Sequence, residues 1–312
     1  MGDTKNDKLK EITERLEQGI LTIFNSESYQ AYLRVMSRFH NYSTNNLVLI
    51  LLQKPEATLV AGFHTWKSKF GRTVKKGEKG IAIFAPITRK VKMEKEKLDP
   101  QTKLPIIGEN GLPEMVEQEI TIPRYRVVYV FDISQTTGRD LPTPVIHTLA
   151  GDVEHYTDFF VALEQASPVP IGFEEIPGSA HGYYNFVEKR IAIDTGMSEM
   201  QNLKTLIHEI AHAKLHDIDP KTPRKEQAKI DKRTREVQAE SVAYTVCQHF
   251  GLDTSDYSFV YIASWSSGWT LPELKSSLEV IRQTAAEMID SMEDYFAELG
   301  EKQAASESDQ AA

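Results

Sequence analysis

Residues 205–216 read "TLIHEIAHAKLH", and this stretch decides the fold of the second half of the chain. Apolar residues surround its polar ones at Leu206, Ile207, Ile210 and Ala211. Their spacing predicts a buried α-helix. His208 and His212 are four residues apart, so both imidazoles lie on one helix face and can reach one cation, with Glu209 beside it. The HExxH pattern predicts a metal site, unless it is a helix whose polar residues fall in this order by chance.

A third metal ligand is available in "REVQAESVAY", residues 235–244, on the next long helix that we predict. Glu236 and Glu240 are again four residues apart, and either one completes a His, His, Glu set that leaves a coordination position open for water. We assign Glu236 to the metal and Glu240 to the ring N–H of a ligand histidine. Cys247 is the only cysteine, which excludes a multi-cysteine site, so zinc held by histidine and carboxylate is the predicted cofactor.

An open zinc position predicts hydrolysis of a peptide bond. Glu209 would act as general base and then return the proton to the leaving amine. Tyr244, one turn beyond Glu240, is our candidate donor to the oxyanion. His216 is about 12 Å along the helix from His208, too far to share the metal, so we predict a surface or supporting role for it.

The charge of the chain is unevenly distributed. The net charge is −9, yet residues 61–90 hold eight basic residues and one acid. An acidic protein with one basic segment predicts a local surface for an anionic partner.

Aromatic residues are interleaved with this charge in "GFHTWKSKFGRTVKKGEKG", residues 62–80. Single-stranded nucleic acid is bound by positive groups that follow the phosphates and by aromatic faces on which bases stack. The alternative is a solvated basic face whose aromatics lie in the core. The candidate DNA contacts are Trp66, Lys67, Lys69, Arg72, Lys75, Lys76 and Lys79.

The pattern along the chain predicts an α+β protein of two domains. The first, residues 1–140, has helices over 5–40 and from Ser43 or Thr44 to Pro55, a short helix near 63–70 and a long β-hairpin whose arms and tip are residues 88–120. The second, residues 141–298, is mostly helical with a small sheet. We predict helices near 145–165, 199–216, 225–250 and 270–297, strands near 172–176, 182–186 and 190–194, a connection at 133–144 and a disordered tail at 299–312.

The chain has no sequence signal for a membrane. Its first residues, "MGDTKNDKLK", are polar and charged, unlike a secretory signal, and the longest apolar run, Leu47–Leu52, is too short to cross a bilayer. These features predict a cytoplasmic protein.

Two longer stretches resemble known families. Residues 41–86, "NYSTNNLVLILLQKPEATLVAGFHTWKSKFGRTVKKGEKGIAIFAP", resemble the N-terminal domain of ArdC-type antirestriction proteins. "GYYNFVEKRIAI", residues 182–193, with the two stretches 205–216 and 235–244, is similar to the ImmA/IrrE-like zinc metallopeptidase domain.

The resemblance implies single-stranded DNA binding by the first domain, in a protein of plasmids and other mobile elements. It also implies that His208 and His212 are zinc ligands, that Glu209 is the catalytic glutamate, and that Glu236 is the downstream ligand. Relatives often have Asn where this chain has Glu240, so the choice between Glu236 and Glu240 stays open here.

Three functions agree with the sequence. One is an antirestriction accessory protein that binds incoming single-stranded DNA and carries a zinc peptidase domain. Another is a regulatory protease that cleaves a repressor, with the basic segment only localising it. The third is a DNA-binding protein whose zinc is structural.

Overall fold

The structure, a computed structural model, describes residues 3–108, 111–141, 156–217 and 230–310. Over these residues it is an α+β protein, as the sequence predicts, with helices at both ends of the chain and three small sheets between them. No helix in the described ranges is long and apolar enough to cross a membrane.

Three helices open the chain, as predicted: α1 (Asp3–Ile23), α2 (Ser26–Arg38) and α3 (Thr44–Gln53). The Asn25 side chain accepts from the backbone N–H of Ser28 and caps α2. Helix α3 follows Ser43 and ends before Pro55, which cannot continue a helix.

The predicted hairpin is present and packs on α3. Its arms β3 (Ile81–Glu96) and β4 (Met115–Asp132) are antiparallel, and β1 (Val60–Gly62) pairs with the other edge of β4, giving the order β1-β4-β3. Asn46 and Gln53 of α3 hydrogen-bond the backbone of β3 and cover its free edge. Helix α4 (Phe63–Ser68) follows β1.

The connection that we predicted at 133–144 is partly wrong. A 3-10 turn (Ile133–Gln135) leads into β5 (Thr136–Gly138), which pairs with β2 (Arg72–Val74), so these residues belong to the first half of the fold. The prediction rested on the absence of apolar periodicity, but a three-residue strand that is held by backbone hydrogen bonds does not need such periodicity.

The second half places a small sheet beside a group of helices. Strands β6 (Ile171–Glu174), β7 (Gly182–Asn185) and β8 (Arg190–Asp194) form a sheet of order β6-β8-β7, so β7 is an edge strand. The helices are α5 (Tyr156–Ala166), α6 (Glu199–Leu215), α7 (Lys232–His249), α8 (Ile262–Trp265) and α9 (Leu271–Gln310). The predicted helical residues 145–155 and 225–229 lie outside the described residues.

Helix α9 differs from the prediction for the C-terminus. We predicted disorder from residue 299, and the helix instead continues to Gln310. Its last residues are rich in Ala, Glu, Gln and Lys, which favour helix even where there is little to bury.

The two halves share one hydrophobic core. Helix α2 packs against α7, and both α1 and α3 contact α9. The hydroxyls of Tyr29 on α2 and Ser241 on α7 are 2.8 Å apart in the buried interface. Helix α2 therefore directly supports the helix that carries Glu236. A domain boundary near residue 140 remains a prediction.

Candidate metal centre and nucleic-acid surface

Helices α6 and α7 pack against each other, and each is capped at its start. Ser198 caps α6 by accepting from the N–H of Gln201, and Asp231 caps α7 by accepting from the N–H of Thr234. The caps fix where each helix begins, and so which residues face the other helix. The facing residues include the two histidines of HExxH and Glu236.

The three residues come together as a metal-binding set. The Nε2 atoms of His208 and His212 are 3.0 Å apart, and Oε2 of Glu236 is 3.6 Å from each. Candidate ligand atoms of these residues all lie within 4.8 Å of one another. Two imidazole nitrogens and one carboxylate oxygen fit a divalent metal ion that keeps a coordination position free.

The charges of this set are coupled. Hydrogen bonds from His208 and His212 hold the pKa of Glu236 well below its usual range. Burial alone would lower the pKa of His208, but Glu236 and the field of Glu209 outweigh it and raise that pKa. A proton shared with Glu236 stabilises the set when it holds no metal, and a metal ion would compete with this proton.

Glu209 lies next to the set without joining it. The residue is 8% exposed, and burial raises the pKa of its carboxyl group. The backbone of Tyr184 on β7 hydrogen-bonds this carboxyl and partly opposes the shift. A carboxylate with a raised pKa beside a metal site suits a group that accepts and returns a proton.

His216 contacts His212, which agrees with the supporting role that the sequence analysis gave as one of two roles for it. Their Nδ1 atoms are 2.9 Å apart, and Nε2 of His216 is 3.0 Å from Oε1 of Gln238. If Nε2 of His212 binds a metal, its Nδ1–H donates to His216, whose Nε2–H then donates to Gln238. Burial lowers the pKa of His216 to about 4, which keeps it neutral and able to accept. Its i+4 spacing from His212 was the available signal.

Glu240 does not take the supporting role that we predicted. It accepts a hydrogen bond from the hydroxyl of Tyr261. Burial raises its pKa to about 7. His216 occupies the position beside a ligand histidine that we assigned to Glu240.

The metal-binding set opens into a cleft of about 430 Å³. Beyond the histidines, Glu209 and Glu236, its walls include Gly182, Tyr183 and Tyr184 of β7 and two basic residues of α7, Lys232 and Arg235. Such a cleft beside an edge strand has room for an extended peptide.

Tyr244, our candidate oxyanion donor, is not at this cleft. It is 2% exposed, and its ring packs 5.6 Å from the ring of Tyr257 and 5.6 Å from that of Phe259. The prediction is wrong because the helix face that continues beyond Glu240 turns into the core.

The basic turn follows β2 and is anchored to the end of β4. The N–H of Lys75 donates to the carbonyl of Gln135 at 2.9 Å, and the Gln135 side chain donates to the carbonyl of Lys79 at 2.8 Å. Lys67, Lys69, Lys76 and Lys79 are exposed and form no ion pair with any residue in the described ranges. The Lys75 ammonium donates to the carbonyl of Ser134.

Two of the predicted DNA contacts are structural instead. Trp66 is 0% exposed, and its Nε1–H donates to the carbonyl of Phe131, so its ring faces are not available to bases. The guanidinium of Arg72 donates to Thr136, Gly138 and Arg139 and holds β5 beside β2. Both residues stabilise the turn, and the lysines are the candidates that remain.

Two family models match the chain. Residues 3–131 match the N-terminal domain of anti-restriction factor ArdC, and residues 168–290 match the IrrE N-terminal-like domain of the peptidase M78 family. The matched segments lie on either side of residue 140.

The chain is also similar to individual proteins. An uncharacterized protein of Bacillus anthracis is 30% identical over 327 residues, a match that covers 94% of this chain and 52% of that protein. The chain thus spans about half the length of this curated relative. The metal-free crystal structure of the antirestriction ArdC protein from the R388 plasmid is 24% identical with a TM-score of 0.42, covering 82% of this chain and 86% of that one. The Mn(II)-bound structure is 20% identical with a TM-score of 0.44, covering 92% and 97%.

Proposed function

Because the chain joins an ArdC-type N-terminal domain to an IrrE-like domain, we propose that it is a cytoplasmic antirestriction protein of mobile elements that binds single-stranded DNA and carries a zinc peptidase site. The observation that carries the enzymatic half is the His208, His212 and Glu236 set with Glu209 beside it in an open cleft. The DNA-binding half is supported by the lysine-rich turn.

Zinc is the ion that we propose for the metal-binding set. Its preferred tetrahedral geometry and nitrogen-rich donors fit two histidines and one glutamate. When bound, the ion would polarise a peptide carbonyl and lower the pKa of water in the cleft.

The chain's own groups would do the rest of the chemistry. Glu209 accepts the proton of the attacking water and returns it to the leaving nitrogen. Burial raises its pKa, which makes its carboxylate a better proton acceptor in the first of these steps. His216 holds the ring of His212 in orientation through their Nδ1 contact.

Arg235 replaces Tyr244 as our candidate for stabilising the oxyanion. It lines the cleft one residue before Glu236, and its buried Nε has no hydrogen-bond partner among the described residues. A guanidinium held beside the metal-binding set provides positive charge where negative charge develops. Replacing Arg235 with Met should lower kcat while metal content is unchanged.

The function is tested by measuring DNA binding and metal content on one sample. Labelled single-stranded and duplex oligonucleotides of one sequence are titrated across a salt series, and bound metal is quantified by mass spectrometry. We expect preferential, salt-sensitive binding of the single strand and about one zinc per chain. Equal affinity for both DNA forms would reject single-strand preference, and full zinc content in a His208→Ala variant would reject the metal site.

A regulatory protease that cleaves a repressor is the second candidate. The edge strand β7 along the cleft favours it, since an extended segment of a protein substrate can pair there. Plasmid transfer into restricting hosts separates the two. If the Glu209→Gln variant protects DNA as well as the wild type, proteolysis is not the mechanism of protection.

A further inference from the structure

The sheet of the first half has two unlike faces. Residues paired across antiparallel strands share a face, so Ile81 with Val130 and Ile83 with Val128 point to one side. At its base, next to the helices, this inner face is covered, and Ile81, Ile83 and Val130 belong to the core. The outer face carries the alternate residues of β3 and β4.

Aromatic rings dominate the outer face. Tyr125 is 62% exposed, Tyr129 is 49% exposed, and Phe63 at the start of α4 is 49% exposed. Half-buried rings support them: Phe84 is 6.5 Å from Tyr125, and Phe131 is 6.2 Å from Phe63, measured between ring centroids. Single exposed aromatics are ordinary, but four rings on one sheet face, with Phe63 of α4 beside them, form a patch of the kind that binds a partner.

The basic turn lies directly against this face. A Cβ atom on Gly80 would come within 2.9 Å of Cβ of Tyr129 and 3.1 Å of Cζ of Phe131. Glycine is therefore required where the turn passes over the rings. Lys79 is the residue before Gly80, and Lys76 is in the same turn; both lysines are exposed. The turn that meets Tyr129 and Phe131 therefore also carries two exposed positive charges.

Charge and aromatic rings together identify the partner class. An apolar protein surface would not need lysines at its edge, whereas a nucleic acid offers phosphates to the lysines and base faces to the rings. Duplex DNA hides its base faces in the stack, and a single strand exposes them. Tyr125 and Tyr129 are four residues apart on β4, which places them about 13 Å from each other. Two bases of an extended DNA strand could stack on them at this separation.

We propose that single-stranded DNA binds across the outer face of this sheet, with bases stacked on Phe63, Tyr125 and Tyr129 and phosphates bound by Lys76 and Lys79. The assignment rests on the proposed DNA-binding function and replaces the buried Trp66 with rings that a base can reach.

The test is fluorescence anisotropy of a labelled oligothymidine with Tyr125→Ala/Tyr129→Ala, compared with Tyr125→Phe/Tyr129→Phe. We expect roughly tenfold weaker binding for each ring removed, an unchanged salt slope because no charge is lost, and near wild-type affinity for the Phe pair. Leu104→Ala/Ile107→Ala, at exposed apolar residues of the same hairpin, is the matched control and should bind normally.

Photocrosslinking of wild-type protein to 5-iododeoxyuridine oligonucleotides avoids any dependence on how the variants fold. Crosslinks at Tyr125, Tyr129 or Phe63 are expected, and crosslinks confined to other segments would overturn the assignment.

A wild-type protein that does not bind single strands refutes the proposed function itself. If the wild type binds and the Ala pair stays within twofold of it, only the assigned surface is wrong. A changed oligomeric state with intact DNA binding in the Ala pair would identify the face as a protein interface and also overturn it.

Discussion

At the scale of single residues, the site depends on groups whose protonation is controlled by burial. Burial raises the pKa of Glu209 and of Glu240 and lowers that of His216, in each case favouring the neutral form. Glu236 instead has its pKa lowered by hydrogen bonds from its histidine partners, which favours its charged form. Each of these groups has a separate experimental signature.

Glu209→Gln should separate metal binding from catalysis. The amide is nearly isosteric and leaves the three proposed metal ligands in place, but it cannot accept the proton. Cleavage of a degenerate peptide library should therefore fall at least about 100-fold. Metal content by mass spectrometry should stay at the wild-type value. Residual cleavage near the wild-type rate would assign the base to another residue.

His216→Ala should weaken metal binding although His216 is not a ligand. Without its Nδ1, the Nδ1–H of His212 loses its acceptor and the ring loses its orientation. Loss of such a supporting contact typically costs 10–100-fold in metal affinity. The affinity is measured by competition with a chromogenic chelator, with exposed His64→Ala as the matched control. Equal affinities for the two variants would contradict the role of His216.

Glu240 should make the metal-free protein lose stability as the pH rises. Its folded pKa is about 7, whereas a glutamate in the unfolded chain has a pKa of about 4.5. The folded state therefore binds the proton more tightly, and this contribution to stability is full below about pH 4.5 and is lost as the pH rises to about 7. Urea unfolding in the presence of chelator should show this loss, and Glu240→Gln should reduce it. An identical pH dependence in both proteins would show that Glu240 is not the group responsible.

At the scale of elements, the hairpin and the basic turn differ in how their lysines are used. On the hairpin, Lys92 pairs with Glu117 and Lys97 pairs with Glu114 across the strands. These pairs cancel charge locally, so the hairpin arms are not basic in effect. Lys76 and Lys79 of the turn form no ion pair with an acidic residue in the described part of the chain. Their ammonium groups can therefore bind phosphates.

Lys76→Ala/Lys79→Ala should therefore reduce the salt dependence of single-strand binding. Two phosphate contacts correspond to a change of about 1.4 in the slope of log K against log salt. The control Lys92→Ala/Lys97→Ala removes the same charge from the hairpin and should change the slope little. Similar slopes for the two double variants would mean that only net charge matters.

At the scale of the whole molecule, the first helices and the helix that carries Glu236 belong to one packed structure. Met36 of α2 is fully buried and contacts the hydroxyl of Thr245 on α7, and His249 of α7 hydrogen-bonds the carbonyl of Ser37. Through these contacts, helix α2 of the first half holds the helix that presents Glu236.

Met36→Ala should destabilise the whole chain. Truncating a buried Met costs about 2–5 kcal/mol, and because the core is shared we expect one calorimetric transition that moves to lower temperature. Exposed Leu104→Ala is the control and should leave the transition in place. Two transitions, of which only one moves, would show that the halves unfold independently.

Much of this protein was predictable because the information is local. The i, i+4 spacing of His208 and His212 places both on one helix face wherever that helix packs, and Ser43 and Pro55 bracket α3 within a few residues of sequence. The alternation of residues predicted the two arms of the hairpin. The spacing of four residues between His212 and His216 likewise places His216 one helical turn further on, where it can accept from His212.

Only the tertiary structure decided which side of each element is buried and which residues meet across the chain. The composition of the segment predicted that Trp66 and Arg72 lie at a DNA surface. In the structure Trp66 is buried against the sheet, and the guanidinium of Arg72 hydrogen-bonds β5. Tyr244 lies on the predicted helix but is buried in the core. In the sequence Tyr125 and Tyr129 are typical strand residues, and only the pairing of β3 with β4 shows that they share an exposed face. Which face of an element is buried depends on packing between residues that are tens to hundreds of positions apart. The spacing of residues within one element therefore does not predict it.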